Sequence, residues 1–146
     1  TLKSRCLTFK ISLTFNQSIN VINQLLNNNI LEEINTDLIN YYITPGEIIN
    51  LINFADEKKI NLLDYDLLGI LNLLINNGYY RKNKNIKNII ITFIELFFLK
   101  EYKLSNTKNS LLVFYHNFLD KIHNTEKFNL DEESLFLEFK SKILDE

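Results

Sequence analysis

Hydrophobic and polar positions alternate at the start of the chain. In "CLTFKISLTF", residues 6 to 15, Leu7, Phe9, Ile11, Leu13 and Phe15 are separated by Thr8, Lys10, Ser12 and Thr14, the period-two pattern of a half-buried strand. A lone strand leaves its backbone groups unpaired, so the pattern demands a partner. The most economical one is a sheet in another subunit, to which this arm adds as a docking strand with Phe9 and Ile11 in alternate pockets. The rival is an internal partner, for which only "SLFLEF" at 134–139 alternates, through Leu135, Leu137 and Phe139.

From residue 17 the apolar spacing changes to about 3.6, the period of an amphipathic helix. Ser18 is the expected cap of a first helix carrying Ile19, Ile22, Leu25 and Leu26, ended by the Asn run 27–29. Ile30, Leu31, Ile34, Leu38 and Tyr42 form a second stripe. At "ITPGEII" the start signal is strongest, with Thr44 as N-cap, Pro45 at the first helical position and Glu47 completing a capping box. This third helix should bury Ile48, Leu51, Ile52 and Ala55. A fourth presents Leu63, Leu67, Ile70, Leu71 and Leu74 and stops at "NNG", where Gly78 supplies a left-handed residue. The fifth, from about Asn85 to Lys103, is apolar nearly all round except for a stripe of Asn88, Thr92, Glu95 and Lys103, so it needs neighbours on most sides. A sixth, from Thr107 or Ser110 to His123, should bury Leu111, Leu112, Tyr115, Phe118, Leu119 and Ile122. A seventh begins near Asp131 and packs Leu135, Phe139 and Ile143. The expected fold is all-α: about seven helices as antiparallel hairpins, in a short solenoid or irregular bundle. The expected organisation is an extended arm over 1–16 and one helical domain over 17–146.

Composition sharpens this picture. The chain has 146 residues, 46% of them hydrophobic and 12% aromatic, enough for one folded domain with a substantial core. Asn, Ile, Leu and Lys are abundant while Ala and Pro occur once each, a bias that the codons of an AT-rich genome explain. The Asn clusters then read as turns. A net charge of −2 gives no global attraction to nucleic acid or anionic lipid, so any such contact must be local. Lys3, Arg5 and Lys10 precede the first acid, Glu32; this acid-free, hydroxyl-rich flank fits an organelle transit peptide and equally an ordinary strand. Cys6 is the single cysteine, which excludes an intrachain disulfide framework and makes a reducing intracellular compartment the default, either cytoplasm or an organelle such as the mitochondrion. The most apolar run, "IIITFIELFFL" at 89–99, is too short to span a membrane and contains Glu95.

A shift of 41 residues lays Ile48, Ile49, Ile52, Ile70, Leu71 and Leu74 on Ile89, Ile90, Phe93, Leu111, Leu112 and Tyr115, an internal repeat of the size found in stacked helix pairs. The phrase "ITPGEIINLINFADEKK" followed by "YDLLGILNLLINN" resembles one unit of the helical-hairpin repeats of organellar RNA-associated proteins, the octatricopeptide and heptatricopeptide type, and residues 43–123 would hold two units. The resemblance implies an α-solenoid segment that binds RNA or packs into an organellar ribosome. The second unit has neither the Pro nor the Ala.

Candidate chemistry is sparse. The loop "GYYRKNKNIK" places Tyr79 and Tyr80 beside Arg81, Lys82, Lys84 and Lys87, joining rings that can stack on bases to cations that can meet phosphate. The alternative is a hairpin corner packed by both tyrosines, with the lysines solvated. Asp56, Asp64 and Asp66 lack the spacing and central glycine of a calcium loop and read as helix-capping acids. His116 and His123 lie two turns apart with only Cys6 left to join them, so no metal site is expected, and His116 should pair with Asp120. Isolated glycines and the lack of a nucleophile motif leave no cofactor, small-molecule substrate or enzymatic activity in view. Glu95 reads as a solvated or interface carboxylate.

Three readings of function follow. The first is a non-catalytic structural subunit of a larger assembly, such as an organellar ribosome or other ribonucleoprotein, docking on partner protein subunits through Leu7, Phe9, Ile11, Leu13 and Phe15. The second is an RNA-binding hairpin protein using the basic loop. The third is a helical bundle holding a partner's amphipathic helix in an apolar groove.

Overall fold

The computed structural model describes residues 13–39, 43–104, 108–128 and 133–144. Over these the chain is all-α, as expected, with six α-helices rather than about seven: α1 Phe15–Leu26, α2 Pro45–Lys58, α3 Leu67–Asn76, α4 Lys84–Leu104, α5 Lys108–Phe128 and α6 Glu133–Phe139. The last runs on into a π-helical turn, Lys140–Leu144, and short 3-10 turns occupy Ile30–Glu32, Thr36–Leu38, Leu62–Asp64 and Tyr79–Arg81.

The first helix starts earlier than its apolar spacing suggests. Thr14 Oγ1 accepts from the Gln17 N–H at 3.4 Å while Gln17 Oε1 accepts from the Thr14 N–H at 2.9 Å, a capping box that starts the helix ahead of the expected cap, Ser18. Phe15 is therefore the first residue of α1 and packs half-buried on the core, and Leu13 sits exposed before the cap. Phe15 is thus helical and not part of a docking strand; Leu13 lies before the cap in no regular element, and Leu7, Phe9 and Ile11 lie outside the described residues. Ser18, expected as the cap, is buried within α1. "SLFLEF" is helical, which removes the internal strand partner.

The stripe from Ile30 to Leu38 becomes two 3-10 turns because asparagines interrupt it. Asn29 Oδ1 accepts from the Leu31 N–H and Asn35 Oδ1 from the Asp37 N–H, side-chain bonds that compete with helix continuation. Ile30, Ile34 and Leu38 still reach the core. Tyr42 is outside the described residues. The start of α2 follows expectation: Thr44 Oγ1 accepts from the Glu47 N–H at 3.3 Å, Glu47 Oε2 accepts from the Thr44 N–H at 2.8 Å, and Pro45 is the first helical residue. Asp66 caps α3 by accepting from the Gly69 N–H at 2.7 Å. An added Cβ at Gly69 would lie 2.9 Å from that same Asp66 oxygen, so a larger residue there would push the capping carboxylate aside. Gly78, at φ 62°, turns the chain out of α3 as the sequence suggests.

The core centres on α4. Ile86, Ile89, Ile90, Phe93 and Ile94 are completely buried, and α2, α3 and α5 all pack against this helix. Because α2 and α3 each meet α4 more extensively than they meet each other, the arrangement is an irregular bundle around one central helix. At its far end Phe98 gathers an aromatic cluster, with ring centroids 4.9 Å from Tyr115, 5.6 Å from Phe114 and 6.0 Å from Phe139.

One polar staple ties the 3-10 segment to the bundle. Asp37 Oδ2 accepts from the Leu67 N–H at 2.9 Å, the first residue of α3, and Lys100 of α4 donates to Asp37 Oδ1 and, at 3.0 Å, to its carbonyl oxygen. Partial burial alone would raise the Asp37 pKa; the hydrogen bonds from Lys100 and Leu67 and the lysine charge outweigh it and hold the carboxyl below its ordinary value. A depressed folded-state pKa means that this stabilisation is present above the ordinary aspartate range and is lost as pH falls through the lowered value. Asp37→Asn should therefore destabilise the protein by about 1–2 kcal/mol near neutral pH in urea unfolding, and the difference from wild type should shrink once acid protonates Asp37.

Candidate interaction groove between α4 and α5

Between α4 and the first half of α5 lies an open apolar groove of about 320 Å³. Buried Leu96 and Phe98 form its floor, Leu99 and Tyr102 continue it along α4, and Leu111, Leu112 and Tyr115 supply the α5 wall. Hydrophobic periodicity predicts that α5 buries six side chains; only Phe118 of those is buried, Leu111, Tyr115, Leu119 and Ile122 are half-buried, and Leu112 is 44% exposed. Val113 beside it is 61% exposed, and Tyr102 and Leu104 are exposed at the end of α4.

The cause is a neighbour missing among the described residues. The second half of α5 is braced by α6: Phe118 stacks near Phe139 at 6.0 Å, and Lys121 donates to Glu138, which also accepts from Lys142 at 2.7 Å. These hydrogen bonds from Lys121 and Lys142 hold the Glu138 carboxyl below its ordinary value. Among the described residues, the first half of α5 has α4 beside it and no third helix over Leu111, Leu112 and Tyr115.

The groove has one acidic rim. Glu95, on the polar stripe of α4, is exposed overall, yet partial desolvation of its carboxyl, with the charge of Glu47 as the lesser cause, raises its pKa above the ordinary glutamate value. Glu47 is held there by its second role: while Oε2 completes the α2 cap, Oε1 accepts from Thr92 Oγ1 of α4 at 3.2 Å. Tyr115 faces the same rim, and desolvation followed by the Glu95 charge raises its phenol.

The tyrosines of the basic loop turn toward the core. Tyr80 is 7% exposed, its ring 4.9 Å from Phe136, and Tyr79 packs edge-on to Phe54 at 4.9 Å. Arg81 pairs with Glu133 and lies over the Tyr80 ring at 5.8 Å. Both tyrosines thus pack the hairpin corner, and Arg81 ties α6 to it. Lys82 and Lys84 are exposed and Lys87 is half-buried. Asp66 is the expected helix cap and Asp64 accepts from Asn61 Nδ2 at 2.9 Å. His116 Nε2 lies 3.6 Å from Asp120, the expected surface contact. Among the described residues no group of three or more His, Cys, Asp or Glu side chains is placed to hold a metal ion, and no helix is long and apolar enough to cross a membrane. A second hollow of about 510 Å³ beside the end of α2 is polar, lined by residues such as Asn28, Glu32, Glu33 and Asp56.

Fold and site together define an all-α bundle with a lateral apolar groove. Comparison with family models, with curated proteins and with solved structures finds no match for this chain.

The two parts of the basic loop should separate on substitution. Tyr80→Ala is expected to cost about 3 kcal/mol, as for a core aromatic, whereas Lys82→Ala and Lys84→Ala should stay within about 0.5 kcal/mol of wild type, read by chemical denaturation.

Proposed function

We propose that this chain is a non-catalytic helical subunit of a protein assembly and that it holds an amphipathic helix of a partner in the groove between α4 and α5. The observation that carries the reading is the unfilled apolar face of α5. Its hydrophobic residues are spaced for burial, yet Leu112 and Val113 meet solvent beside a groove whose floor is already dry. Contiguous exposed apolar surface of this kind marks interaction sites.

The walls of the groove also select the occupant's conformation. They are side chains of two helices whose backbone groups bond along their own axes, so the walls offer no edge to an extended peptide. A helix satisfies its own backbone and brings only an apolar stripe, which is the helix-in-groove mode. The RNA reading has weaker support, since the rings that would stack on bases are engaged in the core.

The test compares the tagged full chain with its Leu112→Asp variant in extract of the native cells, with and without nuclease. A partner that is retained by wild type, lost with Leu112→Asp and indifferent to nuclease is the expected result. A partner lost on nuclease treatment but kept by Leu112→Asp would overturn the proposal in favour of RNA.

A further inference from the structure

Resting on that reading, we infer that the helix held between α4 and α5 is a basic amphipathic one, which sets a Lys or Arg against Glu95 and lays its apolar stripe along Leu99, Tyr102 and Leu112. Charge complementarity in a groove of fixed length selects this occupant. The α4 wall runs from Thr92 to Tyr102, which at a rise of about 1.5 Å per residue spans about 15 Å, or about three turns of an occupant. The carboxylates sit together at one end of that span: Glu95 on the rim, with Glu47 behind it fixed by Thr44 and Thr92. The other end is apolar through Leu99, Tyr102, Leu111 and Leu112.

Glu95 has no cationic partner among the described residues, in contrast to Asp37 and Glu138, each of which is met by lysine. An apolar helix laid over it would strip water from a carboxylate and leave it unpaired, which costs free energy. An acidic helix would add repulsion from two carboxylates. A helix with one cation, a turn away from apolar residues spaced i, i+3 and i+7, satisfies both ends of the groove at once.

The probes are fluorescein-labelled 14-residue helical peptides with leucines at i, i+3 and i+7 and one lysine, placed either a turn before the first leucine or a turn after the last, together with versions carrying glutamate for the lysine. Binding to the full chain is read by anisotropy. At least one lysine peptide should bind about fivefold more tightly than its glutamate version, and that preference should vanish in Glu95→Gln, an exposed substitution whose folding is checked by circular dichroism. Equal affinity for both versions, abolished by Leu112→Asp, would overturn the charge inference while leaving the groove in use. If no peptide binds, the inference and the groove reading both fall. A dimer of the full chain that Leu112→Asp dissociates would also overturn it, placing a second copy in the groove.

Discussion

A helix that is apolar on nearly every side cannot remain at a surface, and α4 imposes that constraint on everything around it. Five of its side chains, from Ile86 to Ile94, are completely buried. Removing that much apolar area from water requires neighbours on most of the circumference. The chain supplies them from both directions in sequence, α2 and α3 before it and α5 after it, while Phe136 and Phe139 of α6 close the remaining arc near Tyr80 and Phe98. The polar bonds follow the same geometry. Lys100 and Thr92, on the margin of the buried face, reach Asp37 and Glu47 and hold the preceding segments against α4.

Where the sequence carries a specific local device, the structure follows it. Thr44, Pro45 and Glu47 satisfy the first backbone groups of α2 within one turn, so no distant residue can easily override them. Gly78 works similarly, since a positive φ costs glycine least. The start of α1 was hidden for the opposite reason. Thr14 and Gln17 form an equally complete box, but the alternation of Leu13 and Phe15 with polar neighbours reads as a strand, and a local capping box took precedence over the end of a short periodic run. Between Ile30 and Leu38 the apolar spacing gives the burial of Ile30, Ile34 and Leu38 correctly, but Leu31 is exposed and the conformation is not one helix. Two asparagine caps break the helix, while Ile30 and Leu38 face inward from 3-10 turns and Ile34 from the bend between them.

The groove itself was legible only as a mismatch. Periodicity states which residues of α5 share a face; it does not state whether another element covers that face. Leu111, Leu112 and Tyr115 were expected inside because their spacing matches that of Phe118 and Ile122, and the difference arises because α6 is short and braces only the second half of α5. The tyrosines of the basic loop show the reverse effect. Beside four cations they look available for stacking, yet they follow a glycine that ends α3 and turns the chain back on the core, so Phe54 and Phe136 claim them.

A carboxylate on the rim of an apolar groove has different consequences for affinity and for choice. Its attraction to a cation in partly wet surroundings is modest, because the pair must give up water to form. The larger effect falls on the wrong occupant, for which Glu95 is desolvated with nothing to meet it and Glu47 close behind. Leu96 and Phe98 provide a dry floor to any apolar stripe, so the floor discriminates little among helices. Selectivity among amphipathic helices then rests on Glu95, the one charged position of the groove among the described residues, and its register is fixed because Glu47, through Thr92, anchors the acidic end to the start of α2.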